Sequence, residues 1–112
     1  MLAAEAAYQK KADNIIILDL RQLSIFTDFF IICQANSEPQ VEAVMDFIQE
    51  KLSKMKIKMH HIEGADKLQW VLMDYDDFVV HIFLPQVRNY YELEKLWGDS
   101  EKYAYDNKLI KL

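Results

Sequence analysis

Three carboxylates and an imidazole share one stretch of this chain, WVLMDYDDFVVHIF, in which Asp74, Asp76 and Asp77 precede His81. Alternate side chains of a strand point to one side, so Asp74 and Asp76 could together hold a divalent cation for nucleotidyl transfer. Such chemistry also needs a phosphate cradle, and both glycines, Gly64 and Gly98, lie far from the first apolar run. Placing Asp76 in a turn would take it out of the strand alternation altogether. His60 and His61 are neighbours that a strand sends to opposite faces, and His81 has no second ligand at metal-binding spacing. Cys33, the one cysteine, lies in an apolar run and reads as a packing thiol, since a nucleophile needs an electropositive, partly open setting. A nucleophile at Cys33 or Ser24 would need a histidine and an acid delivered by the fold. On these residues the chain is expected to be no enzyme and to hold neither metal nor cofactor.

The same stretch makes a better hairpin than an active site. With Asp76-Asp77 as a two-residue turn, Val71 faces Ile82, Met73 faces Val80 and Tyr75 faces Phe78, all on an apolar side expected to be core. The opposite side pairs Trp70 with Phe83, Leu72 with His81 and Asp74 with Val79. A slip of one residue would exchange the two sides. A buried second side would favour plain aliphatics, and a solvated one would not carry Trp70, Leu72 and Phe83 together. Aromatic anchors among a few polar groups resemble an interface, because they contribute area at little entropic cost. Two covers stay open for this side: a partner macromolecule, or a helix of the chain itself. A final helix from about Gln86 to Trp97, stopped at Gly98, bears on the choice. Tyr90, Leu93 and Trp97 form its core stripe, while Val87 and Tyr91 lie well round the wheel and are candidates for a second contact.

The rest of the chain supplies the frame. Leu2 to Asp13 is Ala-rich and helix-prone. Ile15 to Leu18 and Phe29 to Cys33 have the character of short strands buried on both faces, joined by a turn-bearing connection, Leu20 to Asp28. Ser37, with Gln40 three residues on, has the form of a capping box, and Pro39 fits the first turn of a helix. Val41, Val44, Met45, Ile48, Leu52 and Met55 then make one helical stripe. Ile57 to Glu63 alternates loosely up to Gly64, as an edge strand would. Residues after Asp99 are polar and are expected to be helical or frayed. This order predicts an α+β fold, an α/β sandwich with one mixed sheet of about five strands and flanking helices, in a single domain of residues 1–112.

A net charge of −5 disfavours direct binding to phosphate backbones and favours a positively charged protein surface. A lone cysteine excludes an internal disulfide and fits a reducing compartment. No apolar run reaches the roughly 18 residues of a membrane span. MLAAEAAYQKK has neither a basic leader with an apolar centre nor an Arg-rich transit pattern. The chain is therefore expected in the cytoplasm, with no membrane partner, although a processed organellar form would look the same.

Three blocks, SIFTDFFIICQANSEPQVEAV (24–44), EGADKLQWVLMDYDDFVVHIF (63–83) and VRNYYELEKLWGDS (87–100), cover most of the chain. Through them it resembles the RsfS/Iojap family of ribosomal silencing factors. The resemblance implies a mixed sheet of nucleotidyltransferase-like topology without transferase activity. It further implies a protein that binds the large ribosomal subunit at its fourteenth protein, on the surface facing the small subunit. Occupying that surface blocks subunit joining and represses translation when nutrients are scarce. Family members also form homodimers. In the family, the tryptophan matching Trp70 and the tyrosine matching Tyr91 touch the ribosome, whose contact surface includes basic groups. With Leu72 and Val87 as supporting apolar contacts, and Asp74 and Asp77 as charge complements, these residues make the expected partner-binding set. Two departures are local. The family commonly has glycine where this chain has Asp76, and a Gly-Thr-containing segment where it has Gln34-Ala35-Asn36. A type I′ turn needs positive φ at its centre, which glycine adopts more readily than aspartate.

Overall fold

The structure, a computed structural model, describes residues 1–91, 95 and 97–112, and of residues 89–91 the backbone alone. Helix α1 (Leu2–Gln9) leads into strands β1 (Asp13–Asp19) and β2 (Phe29–Gln34), followed by helix α2 (Glu38–Lys54). Strands β3 (His61–Glu63), β4 (Trp70–Asp74) and β5 (Phe78–Phe83) come next, then helix α3 (Pro85–Tyr91) and strands β6 (Glu101–Tyr105) and β7 (Leu109–Lys111). The strands form one sheet in the order β3-β4-β5-β2-β1-β6-β7. Neighbours run antiparallel except β2 and β5, which are parallel.

The α+β class and the mixed sheet agree with the sequence reading, but the described sheet has seven strands where about five are expected. The difference is the segment after Asp99, which forms β6 and β7 instead of a helical or frayed tail. Its mixed composition conceals the strands. Tyr103 and Tyr105 pack against the main core, and β6 pairs with β1, which would otherwise present an open edge. All three residues of β7 are exposed, so its tie to the sheet is pairing with β6 rather than burial.

Capping sets α2 in place. Ser37 is extended, and its Oγ accepts the Gln40 N–H at 3.2 Å. The Gln40 side chain bonds back to the N–H of Asn36 at 2.8 Å, one residue earlier than a capping box requires, and donates to Lys11 O at 3.1 Å. The second bond ties the start of α2 to the end of α1. Val41, Val44, Met45, Ile48 and Leu52 are buried as the stripe predicts, while Met55, just past the helix, is exposed. Helix α1 buries Ala3, Ala4, Ala6 and Ala7, side chains small enough for a close approach to the sheet. It stops at Gln9, short of the expected Asp13, and Lys11 takes a left-handed φ of +63° as the chain turns into β1.

Two clusters result, one on each face of the sheet. Beneath α1 and α2 lie Ile15, Ile17, Ile31, Cys33, Val71, Met73, Tyr75, Val80 and Ile82. On the other face Leu18, Leu20, Ile32 and Phe83 are buried, with Ile16, Phe30, Trp70, Val87 and Trp97 packed around them. Helix α3 is fastened to this second face by Arg88, whose Nη1 donates to Asn14 O at 2.7 Å and to Gln34 Oε1 at 3.3 Å. Asn14 offers that carbonyl from an irregularity in β1, where it adopts φ +47° and the register with β2 shifts between Asp13 and Ile16. The expected continuation of α3 to Trp97 falls partly outside the described residues. Trp97, Gly98 and Asp99 form a turn.

Candidate functional site

The hairpin that carries the expected contact residues folds in the expected register. Trp70 pairs with Phe83, Val71 with Ile82, Leu72 with His81, Met73 with Val80 and Asp74 with Val79. The Tyr75 N–H closes the turn on Phe78 O at 2.9 Å. Asp76 takes φ +76°, a value that glycine adopts without strain. Two local bonds hold it there. Asp74 Oδ1 accepts the Asp76 N–H at 2.8 Å, and Tyr75 O accepts the Asp77 N–H at 3.0 Å, a γ-turn centred on Asp76. The departure from glycine is thus offset by the carboxylate two residues earlier, and the two faces of the hairpin keep their assignment.

Gly64 fixes the other end of β4. It has φ +80°, and a Cβ added there would overlap the carbonyl oxygen of Trp70. The strand can begin where it does only because residue 64 has no side chain.

On the second face, buried and partly exposed side chains lie side by side. Leu18 on β1, Ile32 on β2, and Phe83 and His81 on β5 are buried, whereas Trp70, Leu72 and Asp74 on β4 are each partly exposed. The chain itself therefore covers part of the face, with Val87 of α3 and Trp97 among the residues packed there, and leaves Ile16, Phe30 and the β4 margin partly exposed. Trp97 meets Phe30 edge to face at 6.1 Å between ring centroids.

Trp70 sits at that margin on a built support. Its ring stacks on Phe83 at 4.9 Å and 28°, and its Nε1–H donates to His81 Nδ1 at 3.1 Å. His81 is in turn met edge to face by Phe30 at 4.6 Å. Accepting at Nδ1 requires a neutral imidazole with its proton on Nε2, and burial pushes His81 down to about 4, consistent with that form. Of the other expected contact residues, Asp74 caps the turn and Asp77 is exposed on it. Val87 is half-buried and packs against both clusters, so part of its surface is used internally. The side chains of Tyr91 and Tyr90, and residue Leu93, lie outside the described residues.

The carboxylates do not assemble as a strand-borne pair. Asp74 turns one oxygen back onto the turn, and Asp76 is the centre of that turn. Among the described residues no group of three or more His, Cys, Asp and Glu is placed to hold a metal ion. His61 lies 3.5 Å from Glu63, with both side chains exposed. Cys33 is fully buried, and burial pushes its thiol up to about 12, the behaviour of a packing group.

The sequence alone gives His81 no role and does not reveal the support it lends to Trp70. A usable signal was present: in the expected register His81 is the diagonal neighbour of Trp70, within reach of a long aromatic side chain. Nor does the sequence single out Leu23, Ile25 and Phe26, large apolar residues in the connection between β1 and β2.

Comparison with known proteins follows the same lines. The model of a family described as ribosomal silencing factor during starvation, RsfS, matches residues 1–111. Ribosomal silencing factor RsfS of Bacillus subtilis is 42% identical over 99 residues, which are 88% of this chain and 84% of the relative. The chloroplastic protein Iojap of Zea mays is 40% identical over 98 residues, 87% of this chain and 42% of that protein. The crystal structure of a protein from Chromobacterium violaceum is similar with a TM-score of 0.85 and 39% identity, over 87% of this chain and 81% of that one.

Proposed function

The chain belongs to the RsfS family of ribosomal silencing factors, and from that premise we propose that it binds the large ribosomal subunit at its fourteenth protein and keeps the small subunit from joining. It is a non-enzymatic regulator that works as a wedge, lowering translation when nutrients are scarce. The setting is the bacterial cytoplasm, and no helix among the described residues is long and apolar enough to cross a membrane. The sheet is read as nucleotidyltransferase-like in topology, with the transferase chemistry left out.

Trp70 is the observation that carries this reading. A tryptophan at the open margin of a face, stacked on Phe83 and hydrogen-bonded to buried His81, is oriented before any partner arrives. Such an anchor loses little freedom on binding, which is where much of the affinity of an aromatic contact comes from. Tyr91 is the second anchor, Leu72 and Val87 are supporting contacts, and Asp74 and Asp77 face basic groups on the partner. The net charge of −5 suits a basic ribosomal protein better than rRNA. A homodimer is part of the same proposal.

The test is a joining assay in sucrose gradients. At saturating protein, large and small subunits should sediment apart, and the protein should travel with the large subunit only. Subunits that join as readily as in its absence would end the proposal.

A further inference from the structure

The connection between β1 and β2 ends in three large apolar side chains that the chain leaves open: Leu23 is 44% exposed, Ile25 94% and Phe26 86%. Its backbone is nevertheless well tied. Leu20 is fully buried, and its N–H donates to Asp28 O at 2.8 Å, closing the neck of the loop. The N–H groups of Leu23 and Ser24 both reach Leu20 O at 2.9 Å, and Ser24 Oγ accepts the Phe26 N–H at 3.1 Å. Single exposed apolar side chains are ordinary on a protein surface, but here three fall within four consecutive positions of one self-bonded tip. A backbone ordered in advance also reduces the entropy that docking would otherwise remove.

The charge around this tip selects its partner. The Asp28 N–H donates to Asp77 O at 2.9 Å, which sets the loop beside the β4–β5 turn. Residues 19–28 and 74–77 together hold five carboxylates, Asp19, Asp28, Asp74, Asp76 and Asp77, against one cation, Arg21. Arg21 is already paired with Asp19 at 2.7 Å. An RNA backbone or an anionic lipid surface would be repelled here, and a second copy of the chain would bring the same carboxylates together. A basic protein surface with an apolar hollow satisfies both features.

We propose that Leu23, Ile25 and Phe26 are a second docking element, apart from Trp70, that seats in an apolar hollow on a lysine- and arginine-rich protein of the large subunit. The proposal rests on the large-subunit reading above. Distance permits one partner to meet both elements. Strand β4 separates Trp70 from the hairpin turn by about 13 Å at the usual rise per residue, and the tip begins on the far side of that turn, where Asp28 meets Asp77. An ordinary interface of about 800 Å² a side is roughly 30 Å across, comparable with the 33 × 33 × 26 Å extents of the chain.

The experiment compares wild type, the double variant Ile25→Ser with Phe26→Ser, and Trp70→Ala for binding to purified large subunits and to protein-free large-subunit rRNA. The single variant Ile25→Asn is read as well, in case the double change lowers the melting temperature. The expected result is a loss of about tenfold or more for the tip variants on subunits, as for contacts near an interface core, with no binding of wild type to bare rRNA. Tip variants that bind subunits like wild type, while Trp70→Ala binds weakly, would overturn the second element and leave the large-subunit reading standing. A loss reproduced on bare rRNA would overturn the protein partner. Wild type that does not bind large subunits at all would remove both proposals together.

Discussion

Under α1 and α2, the side chains of Ile17, Ile31, Val71, Met73, Val80 and Ile82 are sealed from solvent; on the opposite face Phe83 and His81 are sealed while Trp70, Leu72 and Asp74 beside them are not. Both faces are rich in large apolar groups, so apolar content does not separate them. What separates them is the cover. Helix α2 brings a five-residue stripe that is wholly buried, and α1 brings alanines that allow close contact, so the chain itself seals the centre of the first face and leaves Phe29 and Phe78 partly exposed. On the second face Arg88 fastens α3, and Ile16, Phe30 and the β4 side chains Trp70, Leu72 and Asp74 are left partly exposed. On the proposed function, the first face contributes stability and the β4 margin of the second contributes affinity.

The largest expected effects test that division directly. Ile48 belongs to the α2 stripe and is fully buried, so Ile48→Ala should lower the unfolding free energy by about 4 kcal/mol, the cost of lost burial plus a cavity. Its affinity for large subunits, measured on the folded fraction, should not change. Trp70→Ala should do the reverse, losing about thirtyfold in affinity, or about 2 kcal/mol, with a smaller loss of stability. Urea titrations and subunit binding on the same preparations decide the matter. A stability loss for Trp70→Ala as large as that for Ile48→Ala would place Trp70 in the core and abolish the contrast between the faces.

An effect between those two in size comes from acid. Burial depresses His81 from an ordinary value near 6.5 to about 4. The unfolded chain takes a proton that the folded protein resists, so this group's stabilising contribution is complete above about pH 6.5 and is lost as pH falls toward 4. The loss over that window amounts to about 3 kcal/mol. A proton on Nδ1 would also remove the acceptor used by Trp70 Nε1, so the acid effect belongs to the second face. In His81→Asn the amide oxygen can take over that acceptor role without titrating. Denaturation midpoints followed from pH 7 to 4.5 should fall more steeply for wild type than for His81→Asn. Parallel curves would show that His81 is not the group responsible.

These contrasts were readable in the sequence to different depths. The hairpin register was legible because a two-residue turn and a two-residue side-chain period leave few alternatives, and Asp74 rescues the one unfavourable turn position. The stripe of α2 was legible for the same local reason. Strands β6 and β7 were not, because β6 owes its existence to the open edge of β1, distant in the chain, and β7 to β6. The division of the second face was hidden too. It depends on Arg88 reaching a carbonyl 74 residues away, at an irregularity in β1 that no local pattern announces. Ile25 and Phe26 escaped notice because their exposure is a failure of every other element to pack on them, a property of the finished fold alone.

The smallest effect separates two defects that look alike. The Tyr75 hydroxyl, on the first face, and His81 Nε2, on the second, are both buried with no hydrogen-bond partner among the described residues. An unpaired buried polar atom costs free energy wherever it lies. At Tyr75 the hydroxyl has no other work: the ring stacks on Phe78 at 5.0 Å, and burial pushes the phenol up to about 12. Tyr75→Phe keeps the ring and removes the orphan, so stability should rise by about 1 kcal/mol with subunit affinity unchanged. His81→Phe also removes an orphan, yet it takes away the acceptor that orients Trp70, so any gain in stability should come with weaker binding. Thermal melts and subunit binding on the two variants make the comparison. If both gained stability and neither lost affinity, the His81–Trp70 bond would be packing and nothing more, and the open margin of the second face would owe its orientation to the Phe83 stack alone.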